Sequence, residues 1–222
     1  MADAHQLVDH IRSEVKPLED RILHHQYLEG LEAGRLEQAD LRTFAGQQYH
    51  IVSSDLRSIA HMLSRHGTSP SRAFLMHVLQ GEAAALDALL AFARPLGMND
   101  QALADVEPIS AAHAYCAYMA WLAMYASDAE LAGALLINFA AWGANCGRMS
   151  GALRNRYGFS GADTAFFDLF ANLPPFEHEA LAVIQPGLDR GISPTLIHRA
   201  ARMLQGYELM YWDAMLEGLS GH

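Results

Sequence analysis

The stretch from Leu131 to Met149 is the most apolar in the chain, and a helix start is written directly before it. Ser127-Asp128-Ala129-Glu130 is a capping box, in which the serine hydroxyl and the glutamate carboxylate each satisfy a free backbone N–H of the first turn. The same stretch carries Gly143 and Gly147. A glycine in an exposed helix interior costs about 1 kcal/mol against alanine, so two of them need a reason. Four residues apart, they share one face and leave its backbone bare. Another helix, or a flat ligand, can approach closely there. A chain with this segment at its centre is constrained to a helical fold around one long, buried helix, with both glycines turned to the interior.

The same punctuation recurs along the sequence. Ser69-Pro70 and Ser193-Pro194 each read as an N-cap followed by proline at the first helical position. Gly34, Gly67, Gly97, Gly158 and Gly191 fall where helices should stop. These signals predict helices near 4–15, 17–33, 37–66, 70–94, 100–105, 110–126, 128–157, 162–171, 175–190 and 194–217. Pro186-Gly187 should kink or split the helix over 175–190. In the third helix Leu41, Phe44, Ala45, Gln48, Ile51, Val52, Asp55, Leu56 and Ile59 follow three-four spacing, which makes Gln48 and Asp55 polar members of an apolar face. No run alternates apolar and polar residues long enough for a strand. Without a repeat, linker or low-complexity break, residues 1–222 read as one all-α domain.

Composition removes several function classes. The formal net charge of −10, with basic residues scattered except for Arg148, Arg154 and Arg156, argues against a nucleic-acid footprint. Cys116 and Cys146 are the only cysteines and sit in apolar helical stretches, as small buried thiols do. The N-terminus has neither a positive nor an apolar signal region. No uncharged apolar run reaches the ~20 residues of a membrane span; Leu131 to Gly147 comes nearest and contains Asn138 and Asn145. The expectation is a cytoplasmic protein with no membrane or nucleic-acid partner, whose apolar helical faces are compatible with a homodimer.

Several segments, in order, resemble the haem-oxygenase-like helical superfamily of haem oxygenases, TenA/THI-4 thiamin-salvage proteins, PqqC ring-oxidising enzymes and CADD-like di-iron oxidases. Ile11 to Glu19 resembles the first helix of haem oxygenases, and Tyr27 to Leu36 the turn into the second long helix. Gln48-Tyr49-His50-Ile51-Val52 looks like a segment of that helix. Gly143 to Gly147 resembles the glycine-rich helix that lies over haem, Ala165-Phe166-Phe167 the segment after it, and Tyr207 to Met215 the last helix of TenA-type proteins. The resemblance implies a haem-oxygenase-like multi-helical bundle.

It implies the machinery of no single member intact. Glu19 stands where haem oxygenases have their iron-ligating histidine, and a carboxylate does not replace an imidazole there. The aspartate, tyrosine, nucleophilic cysteine and late glutamate of TenA-type thiaminases fall at Gln48, Tyr115, Asn138 and Glu208. An asparagine cannot form the covalent intermediate of a thiolate. Of the di-iron ligands only Glu82 is in place, while Leu89 and Ala144 occupy ligand positions, so no metal site and no di-iron centre is expected. Haem stays open as a cofactor through the glycine pair.

Glu208 lies among Leu204, Tyr207, Leu209, Tyr211 and Trp212, either solvated on an outer face or held inside by hydrogen bonds with a raised pKa. Inside, it is the candidate general acid or base. Gln48 and Tyr115 suit the edge of a heteroaromatic ring, or else form a satisfied polar pair in the core. Asn138 and Asn145, two turns apart, can share a cavity-facing side. With Trp142, Gly143, Gly147, His25 and His50, these residues make the expected ligand-binding set. The reading is a TenA/PqqC-type protein with an enclosed pocket for a small heteroaromatic molecule and metal-free acid–base chemistry. Its alternatives are a haem or tetrapyrrole binder and a non-catalytic sensing or partner-binding protein.

Overall fold

In the computed structural model, residues 2–68, 70–174 and 176–219 are described. An N-cap at Ser69 and a helix start at 175 lie outside them. Ten α-helices follow in order: α1 (Ala4–Leu23), α2 (Gln26–Glu32), α3 (Gln38–His66), α4 (Ser71–Ala93), α5 (Asp100–Ala104), α6 (Ser110–Tyr125), α7 (Asp128–Tyr157), α8 (Ala165–Ala171), α9 (Glu177–Asp189) and α10 (Pro194–Leu219). A short 3-10 turn, Arg94–Leu96, extends α4. No strand occurs among the described residues.

α7 is the axis of the bundle and packs on α10, α9, α8, α2 and α1, while α3 lies between α4 and α6. The capping box forms as written: the Ser127 hydroxyl accepts from Glu130 N–H at 3.3 Å, and the Glu130 carboxylate accepts from Ser127 N–H at 2.9 Å. At the start of α10 the Ser193 hydroxyl accepts from Thr195 N–H at 3.3 Å. Gly34, Gly97, Gly158 and Gly191 take the left-handed conformation that stops a helix, whereas Gly67, at φ −70°, does not.

Neither α1 nor α9 is split at its proline. α1 runs through Pro17 to Leu23, and α9 runs through Pro186. A proline deletes one bond to the carbonyl four residues earlier. Those carbonyls belong to Ser13 and Ala182, both exposed residues, so the lost bond falls on the solvent side of each helix. The chain breaks instead at His24–His25. There the Ile22 carbonyl accepts from Asn145 Nδ2 at 3.3 Å, and the Leu23 carbonyl accepts from the Arg148 guanidinium. Gly187 lets α9 sit against α7: an added Cβ would come within 2.4 Å of Ala129 Cβ.

By length and composition Ser71–Leu96 could cross a membrane, yet it packs along α3 with Phe74, Leu75, Leu89 and Phe92 buried. The core has two clusters. One gathers Tyr27, Phe44, Phe92, Phe167, Tyr211 and Trp212, and the other Ile11, Phe74, Leu135, Ile184 and Ile197. Tyr115 packs against both, and the central cavity lies at that junction.

Candidate functional site

The central cavity lies among α3, α4, α6, α7, α8 and α10. Its polar wall is Gln48, Asp55, Glu82, Tyr115, Asn138, Glu208 and Tyr211; Ile51, Val52, Phe139, Trp142 and Phe170 supply the apolar wall. All of these except Tyr115 and Phe139 are buried, so polar groups here must find partners within the protein or in a ligand.

Five side chains drawn from α6, α7 and α10 are joined in one network. The Tyr115 hydroxyl donates to Asn138 Oδ1 at 2.9 Å. That bond fixes the amide so that Asn138 Nδ2 donates to Glu208 Oε2 at 2.5 Å and to Gln205 Oε1 at 2.9 Å. Trp212 Nε1 donates to Glu208 Oε1 at 3.2 Å. Glu208 is therefore inside, 2% exposed. Burial pushes its carboxyl up to about 8, opposed by the hydrogen bonds from Trp212 and Asn138. Gln48 sits across the cavity on α3, and Trp142 is on the wall.

Asp55 and Glu82 also face this cavity. Burial holds both carboxyls up, Glu82 to about 7, and the Glu82 charge raises Asp55 further. Neither residue is part of the ligand-binding set expected from the sequence. Asp55 was legible as a polar member of an apolar helical face. Glu82 lies three or four positions from the buried Val78 and Ala85, the spacing that marks one side of a helix.

Five expected placements differ from the structure. His50 lies two positions from Gln48, about 200° around α3; its Nε2 meets the Val106 carbonyl at 2.6 Å, outside the cavity. His25 caps α2 and is absent from the cavity wall. Its Nδ1 accepts from Tyr27 N–H at 3.3 Å, which leaves the proton on Nε2 to donate to Asp213 Oδ1 at 3.1 Å. Gly143 faces α8: an added Cβ would meet the Phe170 carbonyl oxygen at 2.8 Å. Gly147 is exposed, not turned inward, with Ala171 Cβ 3.6 Å from where its own Cβ would be. Asn145 is spent on the Ile22 carbonyl. The bare face of α7 thus receives a helix and not a ligand.

Neither thiol reaches the cavity wall. Burial, together with the Glu208 charge, holds the Cys146 thiol well above its usual range, and Cys116 is pushed up to about 11. Leu89 is in the core and Ala144 is exposed. Among the described residues, no three His, Cys, Asp or Glu side chains converge as a metal site would require.

The model of the TENA/THI-4/PQQC family matches residues 12–170, most of the chain. The chain belongs to the TENA/THI-4/PQQC family. In fold this TENA/THI-4/PQQC member is similar to a TenA homologue from Pseudomonas syringae pv. tomato DC3000, with a TM-score of 0.79, 15% identity, and 94% of this chain and 92% of that one covered. It is also similar to a putative TenA-like thiaminase from Sulfolobus solfataricus P2, with a TM-score of 0.64 and 14% identity over 95% of this chain and 96% of that one. Haem oxygenase-1 from the cyanobacterium Synechocystis sp. PCC6803, in complex with haem, shares the fold at a TM-score of 0.69 and 15% identity, covering 96% of each chain. No curated protein matches the sequence. The architecture is the haem-oxygenase-like helical fold. The residues of this family member do not fit a haem. The Phe170 carbonyl lies against Gly143 of α7, and Glu19, where the resemblance puts the iron ligand, is ion-paired to Lys16 at 3.1 Å.

Proposed function

We propose that the central cavity binds a small heteroaromatic molecule carrying a basic nitrogen, and that Glu208 is its acid–base partner. The observation that carries this reading is the hydrogen-bonded Tyr115–Asn138–Glu208 network inside a cavity whose wall includes three carboxyls and no Lys, Arg or His. Such a wall repels phosphates and carboxylates and favours donors and cations.

With its carboxyl held up to about 8, Glu208 is protonated at neutral pH. A ring nitrogen within reach accepts that proton, and the resulting carboxylate keeps the Asn138 and Trp212 donors that stabilise its charge. Trp142 and Phe139 offer faces for a planar ring. Tyr115 orients the Asn138 amide and does not itself move a proton. Cysteine nucleophilic catalysis is no part of the reading, because Asn138 occupies the position at which the family resemblance puts the nucleophile and both thiols are buried elsewhere.

A thermal-shift screen of pyrimidines, pteridines, quinolines and haem on wild type and Glu208→Gln tests it. Binding raises the melting temperature with ligand concentration. The reading expects such a rise for a basic nitrogen heterocycle in wild type and a clearly smaller one in the variant. Equal responses from the two proteins would refute it.

A further inference from the structure

We propose that Asp55 and Glu82 form a second, cation-accepting pole of the cavity, which holds a protonated primary amine or amidine carried by the ligand. The inference rests on the cavity being a ligand site, as proposed above, and assigns the other end of the molecule that Glu208 would engage.

Asp55 on α3 is 5% exposed and Glu82 on α4 is 8% exposed, and both are on the cavity wall. Among the described residues, Asp55 Oδ1 is buried with no hydrogen-bond partner. Burial holds both carboxyls up, with the Glu82 charge adding to the effect on Asp55, and among the described residues neither is paired with a cation. Buried carboxyls of proteins are ordinarily hydrogen-bonded or paired, so this pair lacks a positive partner that the chain does not supply. Tyr115, the polar group nearest in kind, has committed its hydroxyl to Asn138.

An organic cation fits this gap better than a bare metal ion. Two carboxyls without a third His, Cys, Asp or Glu fall short of the oxygen and nitrogen ligands a divalent ion needs. They match the two or three N–H donors of an ammonium or amidinium group. The surrounding Ile51, Val52, Phe139 and Trp142 suit the carbon skeleton of an amine, and the aromatic faces attract its charge. Glu208 is a separate pole. Its carboxyl is tied to Asn138 and Trp212, and no hydrogen bond joins it to the pair among the described residues. Glu82 also borders a second cavity, lined by Leu169, Leu173 and Phe176, with Phe139 and Phe170 common to both walls. The amine pole thus stands at the partition between the two spaces.

The test compares 4-(aminomethyl)pyridine with 4-methylpyridine, which lacks the amine, by calorimetric titration at neutral pH. Wild type, Asp55→Asn, Glu82→Gln and Glu208→Gln are titrated with each. Both pair variants keep side-chain shape and remove a repelling charge, so they fold. Wild type is expected to prefer the amine by at least about tenfold, the worth of a charge-assisted hydrogen bond. Either pair variant should collapse that ratio towards one, and Glu208→Gln should weaken both probes. A ratio that survives in Asp55→Asn and Glu82→Gln, or no preference in wild type, overturns the proposal. If 4-methylpyridine then still binds in a Glu208-dependent way, the acid–base reading stands without it; if neither probe binds wild type, both fail.

Discussion

Replacing Glu208 by glutamine should make the protein's stability less sensitive to alkali, by an amount that follows from the burial of this carboxyl. In the native state its pKa is raised from 4.5 to about 8, chiefly by burial. A carboxyl raised on folding binds more protons in the native than in the unfolded state between those two values. Its contribution is therefore fully present below the unfolded pKa and lost as pH rises towards the folded one. For Glu208 alone, the loss between about pH 5.5 and about pH 9 amounts to about 3 kcal/mol. Glutamine has no proton to lose, so the variant escapes this term. At the acid end it is the weaker protein. Its single carbonyl oxygen can accept from Asn138 Nδ2 or from Trp212 Nε1 but not from both, and one buried donor is left unpaired at a cost of about 1–3 kcal/mol. Asp55 and Glu82 titrate in both proteins and cancel from the difference. Urea denaturation of the two proteins at the two pH values measures it directly. The expected result is a variant less stable than wild type at pH 5.5 and equal to it or better at pH 9. A stability gap independent of pH would refute the placement of Glu208 as a buried acid.

Gly143→Ala and Gly147→Ala should move melting temperature in opposite directions. The first drives a Cβ to 2.8 Å from the Phe170 carbonyl and should cost about 1–3 kcal/mol. The second meets only Ala171 at 3.6 Å on an exposed face and should gain up to about 1 kcal/mol of helix propensity; loss in both would mean that a tight interior approach is needed at both. Tyr115→Phe leaves Asn138 Oδ1 without its donor and should cost about 1–3 kcal/mol in denaturant unfolding, and an unchanged midpoint would remove Tyr115 from the network. Both thiols should react with a disulfide reagent only on unfolding, since each is buried with a raised pKa; rapid labelling of native Cys146, or turnover lost in Cys146→Ser, would show that it is accessible.

Most helix boundaries were legible because caps are local chemistry: Ser127 with Glu130, Ser193 before Pro194, and glycines at positive φ all act within one turn. Pro17 and Pro186 misled because their effect depends on which side of the helix loses its hydrogen bond, and that is tertiary information. The bare backbone at Gly143 does admit a close approach, and the position of α8 decides that Phe170 makes it, whereas Gly147 is exposed and receives none. His50 beside Gln48 shows the limit of segment resemblance. Neighbours in sequence lie on different faces of a helix, and the face with Gly46, Gln47 and His50 is used to hold the 106–109 loop. There Gln47 Nε2 donates to the Glu107 carbonyl at 2.9 Å and Val106 packs into the space a Cβ at Gly46 would fill. Asp55 and Glu82 carried a usable signal, charge on an otherwise apolar helical side. Their meeting needed the packing of α3 on α4, which no spacing within one helix encodes.

The central claim, that Glu208 receives a basic heterocycle in an enclosed cavity, is tested most directly by calorimetric titration of 4-aminopyrimidine at neutral pH. The account predicts one molecule bound per wild-type chain, with Kd raised by about tenfold or more in Glu208→Gln. An identical Kd in the two proteins, or no binding to wild type, would contradict it.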